Sequence, residues 1–239
     1  MAAMKALKRV FWRMQFEKSR RIAVDRIPVF AGPEGAAGFE QFDRYLTAKT
    51  NTRLEPLYRL RFQEIDQMVR QYDVRSVREM GAGRTTYFFN LYPELDVVSY
   101  EQDERWRDVL LAFYAESGLP PPRIVRSDVE RYKNGGRFVS LEDTKCDLLY
   151  IDGPYVGRRA GELATHTGKP VYYDFERILE ADLPKIIMVE GRTDTVDELL
   201  NSAYAQHYDF CGELTWALER DRYLQALRLS RHSIFIRKP

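Results

Sequence analysis

The chain has 239 residues, 44% of them hydrophobic, which suits one large α/β domain with an appendage and argues against a second full domain. A formal charge of +1 gives no global reason to expect nucleic acid as the main partner. Two cysteines are too few for a disulfide framework or a structural zinc site, and no apolar segment approaches the ~18 residues of a membrane span, so we expect a cytoplasmic protein.

The first segment, residues 4–21, is basic and amphipathic. Its lysines and arginines are accompanied by a single acidic residue, Glu17, and apolar residues recur at helical spacing from Leu7 to Met14. This pattern predicts a helix with an apolar stripe between cationic flanks. Three interpretations stay open: packing on the body of the protein or on a second subunit in a homo-oligomer, contact with a membrane surface, and a basic arm for an anionic substrate or partner.

Gly and Pro are concentrated in residues 27–39, which predicts a linker or loop. A helical pattern follows over residues 55–72, where apolar side chains such as Phe62 line one face. We therefore divide the chain into a helical, basic extension with its linker, residues 1–50, and a main domain, residues 51–239.

From Val74 onward, short apolar runs alternate with helical patterns. Runs such as LLYI do not alternate polar and apolar residues, which is typical of a parallel sheet covered on both faces. The predicted parallel strands are SVREM, DVVSYE, RIVRSD, CDLLYID and KIIMVEG. A final run, RHSIFIRK, follows short connections and predicts an antiparallel edge strand.

Each predicted parallel strand ends with, or just before, a carboxylate. These residues are Glu79, Glu101, Asp128, Asp152 and Glu190. Acidic residues are common at strand ends and as helix caps, but ligands of open α/β sheets bind outside the carboxyl ends of the strands. The joint pattern therefore predicts an acidic rim around one crevice.

The glycine loop REMGAGRTT follows the first predicted strand. Gly81, Ala82 and Gly83 let the backbone approach a ligand closely, but Thr86 stands where a dinucleotide loop has its third glycine. The negative charge of Glu79 would also oppose a pyrophosphate at short range. S-adenosylmethionine carries an ammonium group and a sulfonium in place of phosphates. We therefore expect Glu79 to hold the cationic end of this cofactor, directly or through water.

Residues after the second and third strands extend the predicted cofactor site. Glu101 is placed to accept hydrogen bonds from both ribose hydroxyls, a role that NAD sites also use. Gln102 follows it in the motif SYEQD. Asp128 is placed to contact the exocyclic amine of adenine.

Three motifs, EMGAG, SYEQD and CDLLYIDGPY, occur in order along the segment from Val74 to Arg192. This segment resembles class I S-adenosylmethionine-dependent methyltransferases, and IDGPY is most similar to the small-molecule and sugar O-methyltransferase branch. The resemblance implies a doubly wound, Rossmann-like sheet of seven strands, mostly parallel, with an antiparallel C-terminal hairpin and N-terminal helices. It also implies that residues 51–239 form a methyltransferase domain with S-adenosylmethionine as cofactor.

Methyl transfer to a hydroxyl requires alignment, exclusion of water and a proton acceptor. Asp152, beside the expected methyl position, is the first candidate base, with a turn-forming role in Asp-Gly-Pro as the alternative. His166, in the long loop after IDGPY, is a second candidate if that loop folds over the pocket. Metal-using members of the fold place a carboxylate at the end of strand four, where Asp152 stands here, and an Asp-Asn pair after strand five. At the second position only Glu190 matches and no Asn follows, so we predict no metal ligands.

The sequence thus predicts an S-adenosylmethionine-dependent methyltransferase that acts on oxygen of a small molecule or glycan. Gly153 replaces the first proline of the (N/D)PP(Y/F) motif of adenine amino-methyltransferases, so nucleic-acid methylation is a minority hypothesis. An NAD-dependent dehydrogenase or epimerase is a rival hypothesis from a different enzyme class. A non-catalytic cofactor-binding module that acts through its basic N-terminal helix is a further one.

Overall fold

The computed structural model describes residues 10, 13–14, 17, 19–22, 26–31, 35–54, 58–153, 171–211 and 232–239. Its helical elements include a 3-10 turn (Pro28–Ala31), α1 (Ala36–Thr50), α2 (Tyr58–Gln71), α3 (Arg84–Phe89), α4 (Glu104–Ser117), α5 (Asp174–Ala181), α6 (Thr193–Asn201) and a second 3-10 turn (Ala203–His207). Its strands include β1 (Ser76–Met80), β2 (Asp96–Glu101), β3 (Ile124–Arg126), β4 (Val129–Tyr132), β5 (Gly135–Phe138), β6 (Leu148–Ile151), β7 (Val171–Tyr172), β8 (Ile186–Glu190), β9 (Tyr208–Cys211) and β10 (His232–Arg237). Within these ranges, no helix combines the length and the apolar character needed to cross a bilayer.

The larger sheet has seven strands in the order β3-β2-β1-β6-β8-β10-β9. Strands β1, β2, β3, β6 and β8 pair in parallel, whereas β10 is antiparallel to both β8 and β9. The predicted parallel strands and the antiparallel C-terminal strand are confirmed. Strand order reverses at β1, which has β2 on one side and β6 on the other, so a ligand crevice is expected at the carboxyl ends of β1 and β6.

Helices cover both faces of this sheet. On one face, Leu148 and Met188 belong to a core that α1 to α4 fill with aromatic side chains, including the stacked rings of Phe62 and Phe88 at 4.5 Å. On the other face, Leu149 lies in a second core, to which α5 and α6 contribute. Neighbouring strand residues are therefore buried on opposite faces, which explains why these strands read as continuous apolar runs.

Helix α1 packs into the first of these cores. It buries Phe39, Phe42 and Leu46, and the ring of Phe42 stacks on Tyr87 of α3 at 4.7 Å. The segment predicted as a linker, residues 27–39, holds the first 3-10 turn and the beginning of this helix. The division of the chain after position 50 stays a prediction.

The sequence patterns do not predict a second, three-stranded sheet, ordered β4-β5-β7. Its strands are two to four residues long, too short to carry a readable period. Lys133 turns the chain between β4 and β5 with φ 51°, and a Cβ on Gly135 would lie 2.0 Å from the carbonyl oxygen of Val171. Backbone contact that requires glycine therefore holds β7 against β5.

Candidate active site

The loops after β1 and β6 meet through two glycines at the strand reversal. Gly81 has φ +96°, and its N–H donates to the carbonyl of Tyr100 at 3.0 Å. The N–H groups of Asp152 and Gly153 both donate to the carbonyl of Met80, at 2.9 and 2.5 Å. A Cβ on Gly81 would lie 2.7 Å from the nitrogen of Gly153, and a Cβ on Gly153 would lie 2.7 Å from the Cα of Gly81. Close contact between the backbones of Gly81 and Gly153 therefore explains the glycine in the IDGPY motif. The same contact places Asp152 beside the glycine loop.

Glu79 is fully buried below the loop and accepts hydrogen bonds from three hydroxyls. Thr86 Oγ1 donates at 2.6 Å and Ser99 Oγ at 2.5 Å, and Thr85 Oγ1 donates to the other oxygen. Burial raises the pKa of Glu79 to about 7, against the opposing effect of these hydroxyls. Thr86 also accepts from the N–H of Gly83 at 2.8 Å. The carboxyl thus supports the loop through these hydrogen bonds. Its predicted contact with the cationic end of a cofactor, directly or through water, stays a prediction.

Gly83 immediately precedes α3. Its backbone is extended, with φ −173°, and a Cβ there would meet no atom of the described residues within 4 Å. Ala82 is buried beside it, where its carbonyl accepts from Trp106 Nε1 at 2.7 Å. Packing within this chain therefore requires glycine at Gly81 but leaves room for a ligand in front of Gly83.

Glu101, at the end of β2, lies next to the glycine loop, because its carboxyl interacts with the N–H of Ala82. Glu101 is buried, and its Oε1 accepts from the N–H of Asp103 at 2.8 Å. Burial raises the pKa of Glu101, while backbone N–H groups, including that of Ala82, oppose the shift. Gln102 follows it in a partly buried position. Asp128 is different: 69% of its side chain is exposed, and it pairs with Arg126 at 2.9 Å, so its predicted contact with adenine stays a prediction.

Asp152 follows β6, and Glu190 is the last residue of the adjacent parallel strand β8, so both lie in one recess. Although burial opposes ionisation, the ion pair with Arg61 of α2 holds the pKa of Glu190 below its ordinary value. Burial and then the negative charge of Glu190 raise the pKa of Asp152, against the positive charge of Arg192. Because 44% of the Asp152 side chain is accessible, solvent moderates the burial effect. Asp152 is thus the accessible carboxyl that can take up a proton.

A buried polar network that the sequence does not predict supports Glu190. Tyr150 donates its hydroxyl to Glu190 Oε2 and contacts His232 Nε2 at 3.0 Å. His232 Nδ1 lies 3.1 Å from Glu64 Oε2, and Glu64 is three positions from Arg61 on α2. Sequence reasoning assigns no role to His232 because its partners come from distant parts of the chain. The available signal was two charged residues, Arg61 and Glu64, on a helix face that also buries apolar side chains.

His166, the second predicted base, lies outside the described residues. Among the residues that the structure does describe, no group of three or more His, Cys, Asp or Glu side chains is arranged to hold a metal ion. The candidate site therefore consists of the glycine loop, Glu101 and the recess around Asp152.

The sheet order, the antiparallel β10 and the helices on both faces define a Rossmann-like fold of the class I methyltransferase type, which confirms the predicted fold class. An O-methyltransferase from Bacillus cereus in complex with SAH superposes with a TM-score of 0.50 at 13% sequence identity, covering 84% of this chain and 91% of that one. An SAH-bound methyltransferase from Podospora anserina gives a TM-score of 0.48 at 10% identity, covering 87% of this chain and 98% of that one. At these identities the likeness shows the fold alone, and the Bacillus cereus structure carries it. No protein-family model and no curated protein matches the sequence.

Proposed function

We propose that the protein is an S-adenosylmethionine-dependent methyltransferase that transfers the methyl group to an oxygen of a small molecule or glycan. The observation that supports this proposal is that Gly83, Glu101 and Asp152 lie at the carboxyl ends of the neighbouring strands β1, β2 and β6, where strand order reverses. The Bacillus cereus neighbour is named as an O-methyltransferase and is bound to SAH. That name suggests the reaction class, and the residues of this chain suggest how it is carried out.

The crevice suits a sulfonium nucleoside better than a pyrophosphate. Glu79, Glu101 and Asp152 are all carboxyls with raised pKa values. A diphosphate would repel their ionised forms, whereas the ammonium and sulfonium groups of S-adenosylmethionine would favour them. Thr86 stands where a third glycine would be, and its hydroxyl is committed to Glu79. The open space at Gly83 fits the nucleoside, and Glu101 can accept hydrogen bonds from the ribose hydroxyls. In this proposal Gly81, Ala82 and Gln102 shape the same loop edge, and Asp128 contacts the adenine amine.

The recess beyond the glycine loop is where we place the acceptor. When bound, S-adenosylmethionine supplies an electrophilic methyl group on its sulfonium. Asp152 accepts the proton of the acceptor hydroxyl, because it is accessible and its pKa is raised by burial and by Glu190. Glu190 itself is occupied by Arg61 and Tyr150, so it stays ionised and holds the far side of the recess. The role of His166 as an alternative base stays part of the proposal.

The proposal is tested by incubating the full chain with S-[methyl-³H]adenosylmethionine and a panel of catechols, phenols and free sugars. We expect label in an organic product with the wild-type chain and strongly reduced transfer with Asp152→Asn, which keeps the shape of the side chain but cannot take up the proton. Transfer to DNA or RNA alone would contradict the small-molecule acceptor. Equal transfer by Asp152→Asn would remove Asp152 as the base.

We also propose that residues 4–21 contact an anionic surface. Val10 and Met14, four positions apart, are 55% and 61% exposed, and Arg13 is exposed beside them. Apolar side chains flanked by arginine favour a membrane interface that carries negative charge. Co-sedimentation with phosphatidylserine vesicles but not with neutral vesicles is expected. Failure to sediment, together with a dimer mass by light scattering, would instead support packing on a second subunit.

A cytoplasmic location is part of the same proposal. Cys146 is buried as a free thiol, and burial raises its pKa to about 12, so its sulfur is held in the unreactive form. A free cysteine is typical of proteins in a reducing compartment. Microscopy of a fluorescent fusion in the source cell would test the location.

A further inference from the structure

Arg192, two residues after β8, is clamped between Asp152 and the ring of Tyr172. Its NH2 group donates to the main-chain carbonyl of Asp152 and lies 3.4 Å from Asp152 Oδ1. The guanidinium carbon lies 4.9 Å from the centre of the Tyr172 ring, a cation–π distance. Only 17% of the Arg192 side chain is exposed. The arginine thus reaches across the recess rather than into solvent.

The two supports of Arg192 are fixed by different parts of the fold. The N–H of Tyr172 donates to Thr195 Oγ1 at 3.1 Å, and β7 pairs Tyr172 with Gly136 of β5. Asp152 is tied to β1 through the carbonyl of Met80. A planar guanidinium that both stacks and donates loses little freedom per hydrogen bond. Movement of Arg192 would therefore require one of these anchored elements to move.

The buried Nε of Arg192 has no hydrogen-bond partner among the described residues. A buried donor without a partner is costly, so Nε does not stabilise this position of Arg192. The contacts of the guanidinium with Asp152 and with the Tyr172 ring therefore hold the side chain in place.

We propose that Arg192 is a positioning residue, which holds the Asp152 carboxylate toward the expected position of the transferring methyl group. This inference rests on the proposed function. If Arg192 and Asp152 formed only a structural ion pair, the pair would affect the free energy of unfolding. The charge of Asp152 would then have no effect on the preference for S-adenosylmethionine over S-adenosylhomocysteine.

Binding of two cofactors separates these possibilities without an identified acceptor. S-adenosylmethionine has a sulfonium charge that S-adenosylhomocysteine lacks, so the ratio of their affinities, measured by calorimetry across pH, reports on negative charge near the sulfur. Among the described residues, the charged and titratable groups that act on Asp152 include Glu190, Arg192, Arg61 of α2, Glu79 of β1 and Tyr150 of β6. Asp152→Asn removes the ionisable group, so the change in the affinity ratio that accompanies ionisation of Asp152 should disappear.

The affinity ratio should change with pH as Asp152 ionises, and we call the pH halfway through this change the midpoint. For Arg192→Gln we expect the midpoint to move to higher pH, because loss of the positive charge beside Asp152 raises the pKa of Asp152. At the pH of the wild-type midpoint, the preference for S-adenosylmethionine should fall roughly threefold to tenfold. Arg192→Lys, which keeps the charge, should restore the midpoint in part. Arg75→Gln is the matched control, because Arg75 forms an exposed ion pair with Asp73 at 2.6 Å and should leave the ratio unchanged.

An unchanged midpoint in Arg192→Gln, with folding intact by circular dichroism, would overturn the inference while leaving the proposed function standing. If Arg192→Gln does not fold, Tyr172→Leu decides. This variant removes the stacking ring and should move the midpoint in the same direction, and an unchanged midpoint in a folded Tyr172→Leu variant would also overturn the inference. A wild-type chain that binds neither cofactor would contradict the proposed function and this inference together.

Discussion

Two glycines of one loop, Gly81 and Gly83, should respond to alanine in opposite ways. At Gly81, alanine must adopt φ +96°, which costs roughly 1 to 2 kcal/mol for an L-residue. Its Cβ must also move away from the backbone of Gly153, 2.7 Å from the nitrogen and 2.9 Å from the Cα, and overpacking of this kind costs about 1 to 3 kcal/mol. We therefore expect Gly81→Ala to lower the free energy of unfolding by about 2 to 5 kcal/mol, a fall in Tm on the order of 10 °C.

At Gly83, alanine meets no atom within 4 Å in the part of the chain that the structure describes, and it keeps an extended backbone. We expect Gly83→Ala to change the free energy of unfolding by at most about 1 kcal/mol, the scale of a changed N-cap. Its methyl group would occupy the space assigned to the nucleoside, so binding of S-adenosylhomocysteine should weaken at least tenfold, or about 1.4 kcal/mol. Urea denaturation and calorimetry measure the two effects. Unaltered cofactor affinity in a folded Gly83→Ala variant would refute the placement of the cofactor at this loop.

Three further variants test the carboxyls of the site. Glu101→Ala should weaken S-adenosylmethionine binding by ~1.5 to 3 kcal/mol, because hydrogen bonds to a charged group are lost, and an unchanged Kd would place the ribose elsewhere. Because burial raises the pKa of Glu79 to about 7, the folded chain retains a proton that the unfolded chain releases near pH 4.5. Stability should therefore fall by roughly 3 kcal/mol as pH rises from about 4.5 to about 7. Glu79→Gln should reduce the dependence of the free energy of unfolding on pH, measured by urea titrations at several pH values. A pH dependence equal to that of the wild type would contradict the raised pKa of Glu79. Arg61→Met leaves Glu190 buried without its ion-pair partner and should destabilise the fold by about 3 to 5 kcal/mol. The double variant Arg61→Met/Glu190→Gln should recover part of this loss, because it also removes the buried charge. If it recovers none, Arg61 acts through packing alone.

The larger sheet could be predicted because its strands are unbroken apolar runs. Val77, Leu148 and Ile187 lie in strands buried on both faces, where local sequence and tertiary environment agree. Helix α1 was harder to recognise, because glycines at its start suggested a loop. What decides its structure is the burial of Phe39 and Phe42 against residues far along the chain, which no local pattern reports.

The candidate site divides in the same way. Glu79, Glu101 and Asp152 could be selected because each ends a strand, and parallel strands end at one edge of a sheet. The reason for Gly153 could not be predicted, since it depends on contact with Gly81 from another loop. The role of His232 was equally hidden, because only the folded chain brings it to Glu64 and Tyr150.

The most direct test of the central claim is calorimetric titration of the wild-type chain with S-adenosylmethionine and, separately, with NAD⁺. The acidic crevice and the filled third-glycine position predict S-adenosylmethionine binding with a Kd of micromolar order, within the ordinary range for enzyme substrates, and no measurable binding of NAD⁺. Preference for NAD⁺, or failure to bind S-adenosylmethionine at all, would contradict the account.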